Sequence, residues 1–212
     1  MERFVLDLGW GRISVFENVY EPSDDTWLLL DLLNEYRGFS RTCIETCSGT
    51  GIHGIYLLIT GKCGQVVFVD ANPAACLNTL HNIRLNNLVG RGVVLNSYSL
   101  KPFRERTGVN LIVFNPPYLP GVPRDVYDMG LVGGRKGYET IADILADASR
   151  ILCPGGRLFF VYSSLTDRDM VMDVLARNGF KIVKELRKHV FFEDIYAAEA
   201  VLVEDKGCAS RC

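Results

Sequence analysis

The sequence predicts an α/β fold built on a largely parallel β-sheet, and three observations lead to that prediction. Apolar runs of strand length alternate with helical patterns along the 212 residues, which favours βαβ units because parallel neighbours need crossover connections. The run at residues 66–69 is continuously apolar, as in parallel strands that are buried on both faces. The last two strand-like runs have no helix between them, so we expect them to pair antiparallel at one edge of the sheet.

Glycine, proline and asparagine mark the boundaries of the predicted elements. Asn72-Pro73 opens one helix, since proline suits the first turn of a helix, and Pro154-Gly155-Gly156 and Asn178-Gly179 end the last two helices. The predicted strands cover residues 41–46, 65–69, 92–96, 110–114, 157–162, 180–186 and 196–203. The predicted helices cover residues 24–36, 52–58, 73–85, 141–152 and 167–177.

The chain divides into three predicted segments. Residues 1–40 form a lead-in, a short strand pair and a helix packed on the core, residues 41–205 form the main domain, and residues 206–212 form a polar tail. Hydrophobic residues make up 48% and charged residues 23% of the chain, which excludes disordered and fibrous proteins. No apolar run reaches the roughly 18 to 20 residues of a membrane helix, and the N-terminus lacks the layout of a secretory signal. We therefore expect a cytoplasmic protein without membrane contact.

The charge balance bears on nucleic-acid binding. Lys and Arg number 23 against 25 Asp and Glu, which gives a formal net charge of -2. Proteins that hold nucleic acid mainly through its phosphates carry a large basic excess. The balance argues against that class, although it leaves a local basic patch open.

The seven cysteines include no C-x-x-C pair. Five of them lie in apolar or glycine-rich surroundings, and we expect them to be buried, reduced thiols that pack as small hydrophobic groups: Cys43, Cys47, Cys63, Cys76 and Cys153. Cys208 and Cys212 lie in the polar tail, where a disulfide, half of a metal site and a loose tail all remain open. Two thiols do not complete a zinc site, so the sequence predicts no metal centre.

A glycine-rich turn follows the first strand of the main domain. In parallel sheets of this kind, ligands bind beyond the carboxyl ends of the strands. The strand ends in Glu45-Thr46, and Cys47-Ser48-Gly49-Thr50-Gly51 follows. Gly49 and Gly51 let the backbone approach a ligand closely because they have no Cβ. Asp70, at the end of the next strand, is placed to accept hydrogen bonds from ribose hydroxyls.

Glu45 narrows the class of ligand. Its carboxylate would repel the pyrophosphate of a dinucleotide but suits a ligand that carries an ammonium group. S-adenosylmethionine has an amino acid end and no phosphate, so it fits both the glutamate and the turn. A turn with a purely structural role is the alternative.

The sequence Asn115-Pro116-Pro117-Tyr118 follows the fourth strand of the main domain. An NH2 group on a carbonyl or an aromatic ring is a poor nucleophile, and two in-plane acceptors can hold its hydrogens and orient its nitrogen toward an electrophile. The Asn115 side-chain oxygen and the Pro116 carbonyl suit that role. The two prolines stiffen the loop, and Tyr118 offers a ring on which a flat group can stack. A rigid turn without chemistry is the alternative.

These motifs resemble the class I S-adenosylmethionine-dependent methyltransferases that modify planar nitrogens. Within that class, the chain is similar to the HemK-type glutamine methyltransferases of translation release factors, in particular to the short archaeal and eukaryotic branch. The similarity extends over residues 15–203. It includes the lead-in Val19-Tyr20-Glu21-Pro22-Ser23-Asp24-Asp25-Thr26, the segment Asp70-Ala71-Asn72-Pro73 and the loop Gly133-Gly134-Arg135-Lys136-Gly137.

The resemblance implies a Rossmann-like, seven-stranded and mostly parallel sheet with an antiparallel edge strand and helices on both faces. It also implies S-adenosylmethionine as the cofactor, transfer of a methyl group to the glutamine amide nitrogen (N5) of a Gly-Gly-Gln motif, and a release factor as the partner. The implied catalytic residues are Asn115, Pro116, Pro117 and Tyr118. The predicted cofactor-binding residues, which include the two glycines of the turn, are Thr26, Glu45, Cys47, Gly49, Gly51, Asp70, Asn96, Ser97 and Asn115.

Two positions depart from the family pattern. Cys47 stands where the turn of the family begins with glycine. Asn96-Ser97 stands where the family has an acidic residue that meets the adenine amino group. These two differences bear on cofactor affinity rather than on the class of reaction.

The reaction that we expect needs neither a strong base nor a metal. The amide nitrogen attacks the methyl group directly, with its geometry supplied by the acceptors on the loop. Its N–H proton becomes acidic once the methyl group is attached. His53, His81 and His189 therefore have no predicted catalytic role.

Two further segments are candidates for contact with partners. The long loop at residues 119–132, with Arg124 and Asp125, is a candidate substrate clamp, and Arg135 and Lys136 are candidates for docking the partner protein. The strand at residues 92–96 lies at one edge of such a sheet, and Val93, Val94 and Leu95 carry no charge that would block pairing. Relatives in this branch work with a small zinc-binding activator protein, for which this edge is a candidate site. The alternative is an edge covered by the lead-in of the chain itself.

Two other functions remain to be compared with glutamine methylation. An RNA or DNA methyltransferase that acts on an exocyclic amino group (adenine N6 or guanine N2) shares the Asn-Pro-Pro-Tyr sequence, and only in that case do we expect nucleic acid as a partner. A cofactor-binding scaffold without catalysis is the third alternative. The net charge and the lead-in favour the release factor.

Overall fold

The computed structural model describes residues 1–105, 108–124 and 128–203. The strands are β1 (Glu2–Asp7), β2 (Arg12–Phe16), β3 (Ser40–Thr46), β4 (Cys63–Asp70), β5 (Gly92–Asn96), β6 (Leu111–Phe114), β7 (Leu119–Pro120), β8 (Val132–Gly134), β9 (Arg157–Ser163), β10 (Phe180–Val190) and β11 (Glu193–Leu202). The helices are α1 (Asp24–Glu35), α2 (Ile52–Ile59), α3 (Pro73–Leu85), α4 (Glu139–Ile151) and α5 (Arg168–Arg177). Each predicted strand and helix is present, with ends that shift by a few residues.

A seven-stranded sheet forms the centre of the fold, in the order β10-β11-β9-β6-β3-β4-β5. Strands β3, β4, β5, β6 and β9 are parallel. Strand β11 is antiparallel to both of its neighbours, β9 and β10. The predicted fold class, a mostly parallel sheet with an antiparallel strand at one side, is confirmed.

Two hydrophobic clusters cover the two faces of the sheet. One cluster contains buried residues of α1, α2 and α3, with Phe68 of β4 and Phe159 of β9 on the sheet side. The other contains buried residues of α4 and α5, with Phe114 and Phe160 from β6 and β9. Continuous apolar strands are therefore buried on both faces, as expected for parallel strands between helical layers.

The lead-in is attached to the sheet through a row of asparagines on α3. Asn78, Asn82 and Asn86 lie four residues apart on one face of the helix, and their amides bond the backbone of β2. Asn82 Oδ1 accepts a hydrogen bond from the Ser14 N–H (2.8 Å), and Asn82 Nδ2 donates to the carbonyls of Ser14 (2.8 Å) and Thr50 (2.9 Å). The side chains thus satisfy backbone groups that a neighbouring strand would otherwise satisfy.

The attachment of the lead-in to α3 determines whether the lead-in covers the β5 edge of the sheet. Because β2 packs on α3, it does not pair with β5. Among the described residues, β5 forms its ladder with β4 alone. The alternative of an edge covered by the lead-in is therefore wrong.

The expectation of five reduced, buried thiols is also wrong. Cys43 of β3 and Cys63 of β4 form a disulfide bond with their Cα atoms 6.4 Å apart, and Cys153 is disulfide-bonded as well. Cys47 and Cys76 are free thiols. The pairing across two neighbouring strands escaped the sequence argument because that argument considered only cysteines close together in the chain. Cys208, Cys212 and the predicted tail at residues 206–212 lie outside the described residues.

In the described part of the chain, no helix combines the length and the apolar character that a membrane span requires. The same residues hold no group of three or more His, Cys, Asp or Glu side chains that could bind a metal ion.

Replacing Asn82 by Ala should destabilise the fold. The change removes the side-chain partner of the Ser14 N–H and of the Thr50 carbonyl in a buried site, a loss of about 3 kcal/mol in the free energy of unfolding. Urea unfolding of the variant measures this loss. Arg84→Ala, at an exposed position of the same helix, is the control and should change the free energy by less than about 0.5 kcal/mol. Equal stabilities of the two variants would contradict the role given to the asparagine row.

Candidate active site

A cavity of about 330 Å³ lies at the carboxyl ends of the parallel strands. It lies where α/β sheets bind ligands, beyond the ends of strands on either side of the topological switch point. Its lining comes from the lead-in, the glycine turn, the ends of β4 and β5, and the loop after β6. The predicted site residues in this lining are Thr26, Cys47, Gly49, Asp70, Ser97, Asn115, Pro116, Pro117 and Tyr118. Glu45, Gly51 and Asn96 lie behind it.

The glycine turn has a left-handed backbone at three of its five residues. Gly49 has φ 53°, Gly51 has φ 77°, and Cys47 has φ 53°. A Cβ on Gly49 would meet no atom within 4 Å, whereas one on Gly51 would lie 2.9 Å from Thr79 Cγ2. Gly51 is thus required by packing against α3, while Gly49 leaves space beside the cavity. Cys47 adopts the conformation for which glycine is the usual residue.

The Cys47 thiol is not a reactive group in this setting. Burial raises its pKa well above the ordinary value, and the nearby carboxylate of Asp70 raises it further. A protonated, buried thiol is a poor nucleophile. Cys47 therefore contributes its backbone conformation and its packing to the site rather than chemistry.

Two backbone donors fix the Asp70 carboxylate at the end of β4. The Gly49 N–H donates to its Oδ2 (2.8 Å), and the Asn72 N–H donates to its Oδ1 (2.8 Å). Burial raises the pKa of this carboxyl, while the two hydrogen bonds act in the opposite direction. The glycine turn and the end of β4 are thereby held together, with an acceptor at the wall of the cavity.

The Glu45 carboxylate is occupied by the beginning of α2. It accepts hydrogen bonds from the Gly54 N–H (2.9 Å) and the His53 N–H (3.3 Å), and its Oε1 lies 3.1 Å from His53 Nδ1. Both side chains are buried. The contact with a ligand ammonium stays a prediction, because Glu45 does not line the cavity. His53 does line it, with Glu45 as the partner of its Nδ1.

The side-chain amide of Asn96 also makes its hydrogen bonds within the protein. Its Nδ2 donates to the carbonyls of Asp70 (2.9 Å) and Ala71 (3.0 Å), so the side chain ties β5 to the end of β4. Ser97 and the exposed ring of Tyr98 line the cavity at this position. A role for Asn96 in holding an adenine ring stays a prediction.

Asn115 has the one orphaned acceptor in the described part of the chain. Its Oδ1 is buried, and no protein group donates a hydrogen bond to it. Every other buried side-chain nitrogen or oxygen of the described residues has a hydrogen-bond partner. An unsatisfied buried acceptor costs about 1 to 3 kcal/mol. Because Asn115 lines the cavity, a group bound there can supply the missing donor.

Gly133 of β8 and Gly137 of the loop that follows it brace the Asn115–Tyr118 segment from behind. A Cβ on Gly133 would lie 2.3 Å from the Pro117 carbonyl oxygen, and one on Gly137 would lie 2.3 Å from the Tyr118 carbonyl oxygen. Contacts that close exclude any side chain. The short parallel ladder between β7 and β8 joins the same two segments. The glycine loop thus acts as a flat support that fixes the backbone position of the catalytic candidates.

A buried carboxylate of α1 holds the Tyr118 ring. Asp25 Oδ2 accepts hydrogen bonds from the hydroxyls of Tyr118 (3.3 Å) and Tyr20 (2.9 Å), and its Oδ1 accepts from the Thr26 N–H (2.6 Å). Burial, and next the Asp25 charge, raise the pKa of Tyr118 well above its ordinary value. The sequence argument gave Asp25 and Tyr20 no role, although both lie in the lead-in that carried the family resemblance.

Part of the predicted substrate clamp is structured around the cavity. Leu119, Leu131 and Val132 line it, and Arg124 pairs with Asp128 (2.9 Å). Asp125 lies outside the described residues. Arg135 and Lys136 are exposed, and their docking role stays a prediction. His81 and His189 face Glu2 and Asp194 away from the cavity.

Comparisons with known proteins agree on one type of enzyme. The family model of the methyltransferase small domain matches residues 21–192. The methyltransferase HEMK2 of Mus musculus is 31% identical over 176 residues, which cover 78% of this chain and 81% of the relative. The release factor glutamine methyltransferase of Aquifex aeolicus is 29% identical over 184 residues, which cover 81% of this chain and 64% of the relative.

A solved structure has a similar fold. A chain in the structure of the E. cuniculi Mtq2–Trm112 complex, described as responsible for methylation of the eRF1 translation termination factor, superposes with a TM-score of 0.64. It is 24% identical, and the match covers 87% of the chain analysed and 98% of the solved chain.

Proposed function

Because the chain belongs to the methyltransferase small domain family, we propose that it methylates the side-chain amide nitrogen (N5) of the glutamine in the Gly-Gly-Gln motif of a translation release factor. It is an S-adenosylmethionine-dependent methyltransferase. The names of the relatives support the acceptor, since the protein of Aquifex aeolicus is a release factor glutamine methyltransferase. The formal net charge of -2 disfavours the RNA or DNA alternative.

The orphaned Asn115 Oδ1 is the observation that carries this proposal. Its missing partner is a hydrogen-bond donor at the wall of the cavity. A primary amide brings two N–H donors in one plane, and it fits a side-chain oxygen next to a backbone carbonyl. The bracing by Gly133 and Gly137 keeps these acceptors in place before the substrate arrives, which lowers the cost of orientation.

The residues of the cavity fit S-adenosylmethionine. A volume of about 330 Å³ lies within the range of small-molecule sites. Asp70 offers a fixed acceptor for ribose hydroxyls, and Gly49 leaves open space where a Cβ would stand. Thr26 and Ser97 add hydroxyl groups to the lining. When bound, the cofactor supplies a methyl group that its sulfonium makes electrophilic.

The residues of the chain orient the acceptor and stabilise developing charge. The Asn115 oxygen accepts one amide hydrogen, and the Pro116 carbonyl accepts the other. Their hydrogen bonds strengthen as the nitrogen becomes positive in the transition state, so they lower the barrier rather than only binding substrate. Tyr118, held by Asp25 (3.3 Å), supplies a face against which the flat amide stacks.

A methyl-transfer assay tests the proposed acceptor directly. The protein, alone and with a small zinc-binding partner protein, is incubated with labelled methyl donor and either a purified release factor or total RNA. We expect label in the release factor and, by peptide mass spectrometry, on the glutamine of its Gly-Gly-Gln motif. Label in RNA and none in the factor would refute the proposal.

Asn115→Ala should abolish turnover while cofactor binding remains detectable. Loss of a preorganised electrostatic partner of the transition state typically lowers kcat by about 100-fold or more. Initial rates with the release factor and calorimetry with the cofactor measure the two effects. Asn110→Ala, at an exposed asparagine that precedes the same strand, is the matched control. Equal loss of binding and turnover in Asn115→Ala would contradict the assignment.

Cofactor affinity should fall in acid because of Asp70. The carboxylate accepts ribose hydroxyls in its ionised form, and burial raises its pKa in the free protein. As pH falls through that raised pKa, the ionised fraction shrinks, and Kd rises by up to about tenfold per pH unit. Titrations from neutral pH down into the acid range, through the raised pKa of Asp70, measure this slope. Asp70→Asn should bind weakly and lack the slope; Asp173→Asn, on exposed α5, should keep it. A slope retained in Asp70→Asn would refute the assignment.

A partner protein docked on β5 is the second part of the proposal. The structure of the E. cuniculi relative is a complex with Trm112. The free edge of β5 carries no charged side chain, and Val93 is 62% exposed. The opposite edge strand, β10, carries Lys181, Lys184 and Lys188, which discourage pairing with another chain. The uncharged β5 edge therefore suits the addition of a strand from a partner, and the lysine-rich β10 edge does not.

Val93→Lys should prevent this docking without affecting the fold. A charged side chain on an edge strand opposes pairing, and an exposed position tolerates the change. Co-purification with the zinc-binding partner measures docking, and thermal unfolding measures stability. Val183→Lys, at an exposed valine of β10, is the matched control and should leave docking unchanged. Docking that survives in Val93→Lys would exclude the β5 edge.

A further inference from the structure

Two adjacent phenylalanines form the tip of the β10–β11 hairpin. Phe191 is 87% exposed and Phe192 is 97% exposed. Single exposed apolar residues are common on protein surfaces, but large aromatic side chains gain most from burial and are enriched at contact sites. The tip is therefore the most conspicuous apolar feature that the proposed reaction leaves unexplained.

The backbone of the tip is unfavourable for a bulky residue. Val190 pairs with Glu193, so the loop has two residues, and Phe191 has φ 52°. Two-residue hairpin loops place glycine, asparagine or aspartate at positions with positive φ. A phenylalanine in this conformation costs roughly 1 to 3 kcal/mol, and such strain is concentrated at functional sites. A chain that required only a turn here would carry a better turn residue.

The hairpin places this tip at the same end of the sheet as Asn115. Phe160 of β9 is level with Phe114, the residue before Asn115. Strand β9 then continues to Ser163, which is level with Ile195 of β11. At about 3.3 Å per residue, β9 alone extends roughly 10 Å beyond Phe114. The tip lies still farther out, beyond the carboxyl ends of the strands.

Ionic contacts tie the base of the tip to the wall of the cavity. Lys188 Nζ lies 2.7 Å from Asp24 Oδ1, next to the Asp25 that holds Tyr118. Ser163 Oγ donates to the Glu193 carboxylate, and Glu193 is close enough to Tyr118 to contribute to the raised pKa of its hydroxyl. The base of the hairpin that carries the phenylalanines is thus tied to the wall of the cavity.

The size of the cavity shows why such a contact is needed. The cavity beside Asn115, about 330 Å³, has the size of a small-molecule site, whereas a specific protein complex buries about 1,200 to 2,000 Å². Recognition of a folded acceptor must therefore extend past the mouth of the cavity. We infer that Phe191 and Phe192 are the docking surface for the folded body of the acceptor, where they insert into an apolar recess beside the acceptor loop; this inference rests on the proposed function.

Steady-state kinetics with two substrates tests the inference. One substrate is the intact release factor, and the other is a short synthetic peptide with the Gly-Gly-Gln sequence, which has no folded body. Phe191→Gly and Phe192→Ser should each raise KM for the intact factor by about tenfold, as loss of an aromatic anchor does. Their kcat/KM for the peptide should match that of wild type.

Phe191→Gly separates docking from stability. Glycine relieves the positive φ, so the variant should unfold at the same or a higher temperature than wild type, and yet bind the intact factor more weakly. Val183→Ser, at an exposed residue of the same hairpin, is the control and should change neither constant.

Three results would overturn the inference. The first is an unchanged KM for the intact factor in both phenylalanine variants. The second is an equal loss on peptide and factor, which would place the tip in catalysis. The third is a wild-type dimer in sedimentation that the variants dissolve, which would assign the tip to a second copy of this chain. A wild-type enzyme that methylates neither substrate refutes the proposed function itself, and the inference with it.

Discussion

A buried amide oxygen without a donor is the constraint on which the site depends. Asn115 Oδ1 is desolvated without compensation in the described protein, and the fold keeps it so through the close packing of Gly133 and Gly137 against the backbone of the same loop. A looser loop would let the side chain rotate toward water and recover its hydrogen bond. Because the loop is rigid, the unsatisfied oxygen stays in place, and a planar NH2 group that donates to it gains binding free energy.

The architecture was predictable because its signals are local. Continuous apolar runs located the strands, β5 to the residue, and the rule that ligands lie beyond strand ends brought Asp70 and Asn115 to one cavity. The directions of side chains were not predictable. Glu45 points into the start of α2, and Cys43 meets Cys63 across two strands, because these contacts depend on tertiary packing that the one-dimensional pattern does not contain.

The two edges of the sheet carry different side chains, lysines on β10 and uncharged residues on β5. Lysines along β10 protect that edge from pairing with other chains, while its ion pairs with α1, such as that of Lys188 with Asp24 (2.7 Å), hold the hairpin in place. The uncharged β5 leaves its backbone groups open in the described structure. Protection on one side and exposure on the other give the molecule a single direction for strand addition.

Backbone strain is distributed unevenly, and its distribution separates structural turns from functional ones. Among the described residues, four that are not glycine have positive φ: Asn18, Cys47, Asn87 and Phe191. Asn87 follows the end of α3, where asparagine is an ordinary residue, and asparagine tolerates this conformation at Asn18 too. Cysteine and phenylalanine do not favour this conformation, and both Cys47 and Phe191 lie at the carboxyl end of the sheet. Glycine would relieve the strain at each position, so this chain carries the thiol and the ring at a cost in stability, which is the pattern of strain at functional sites.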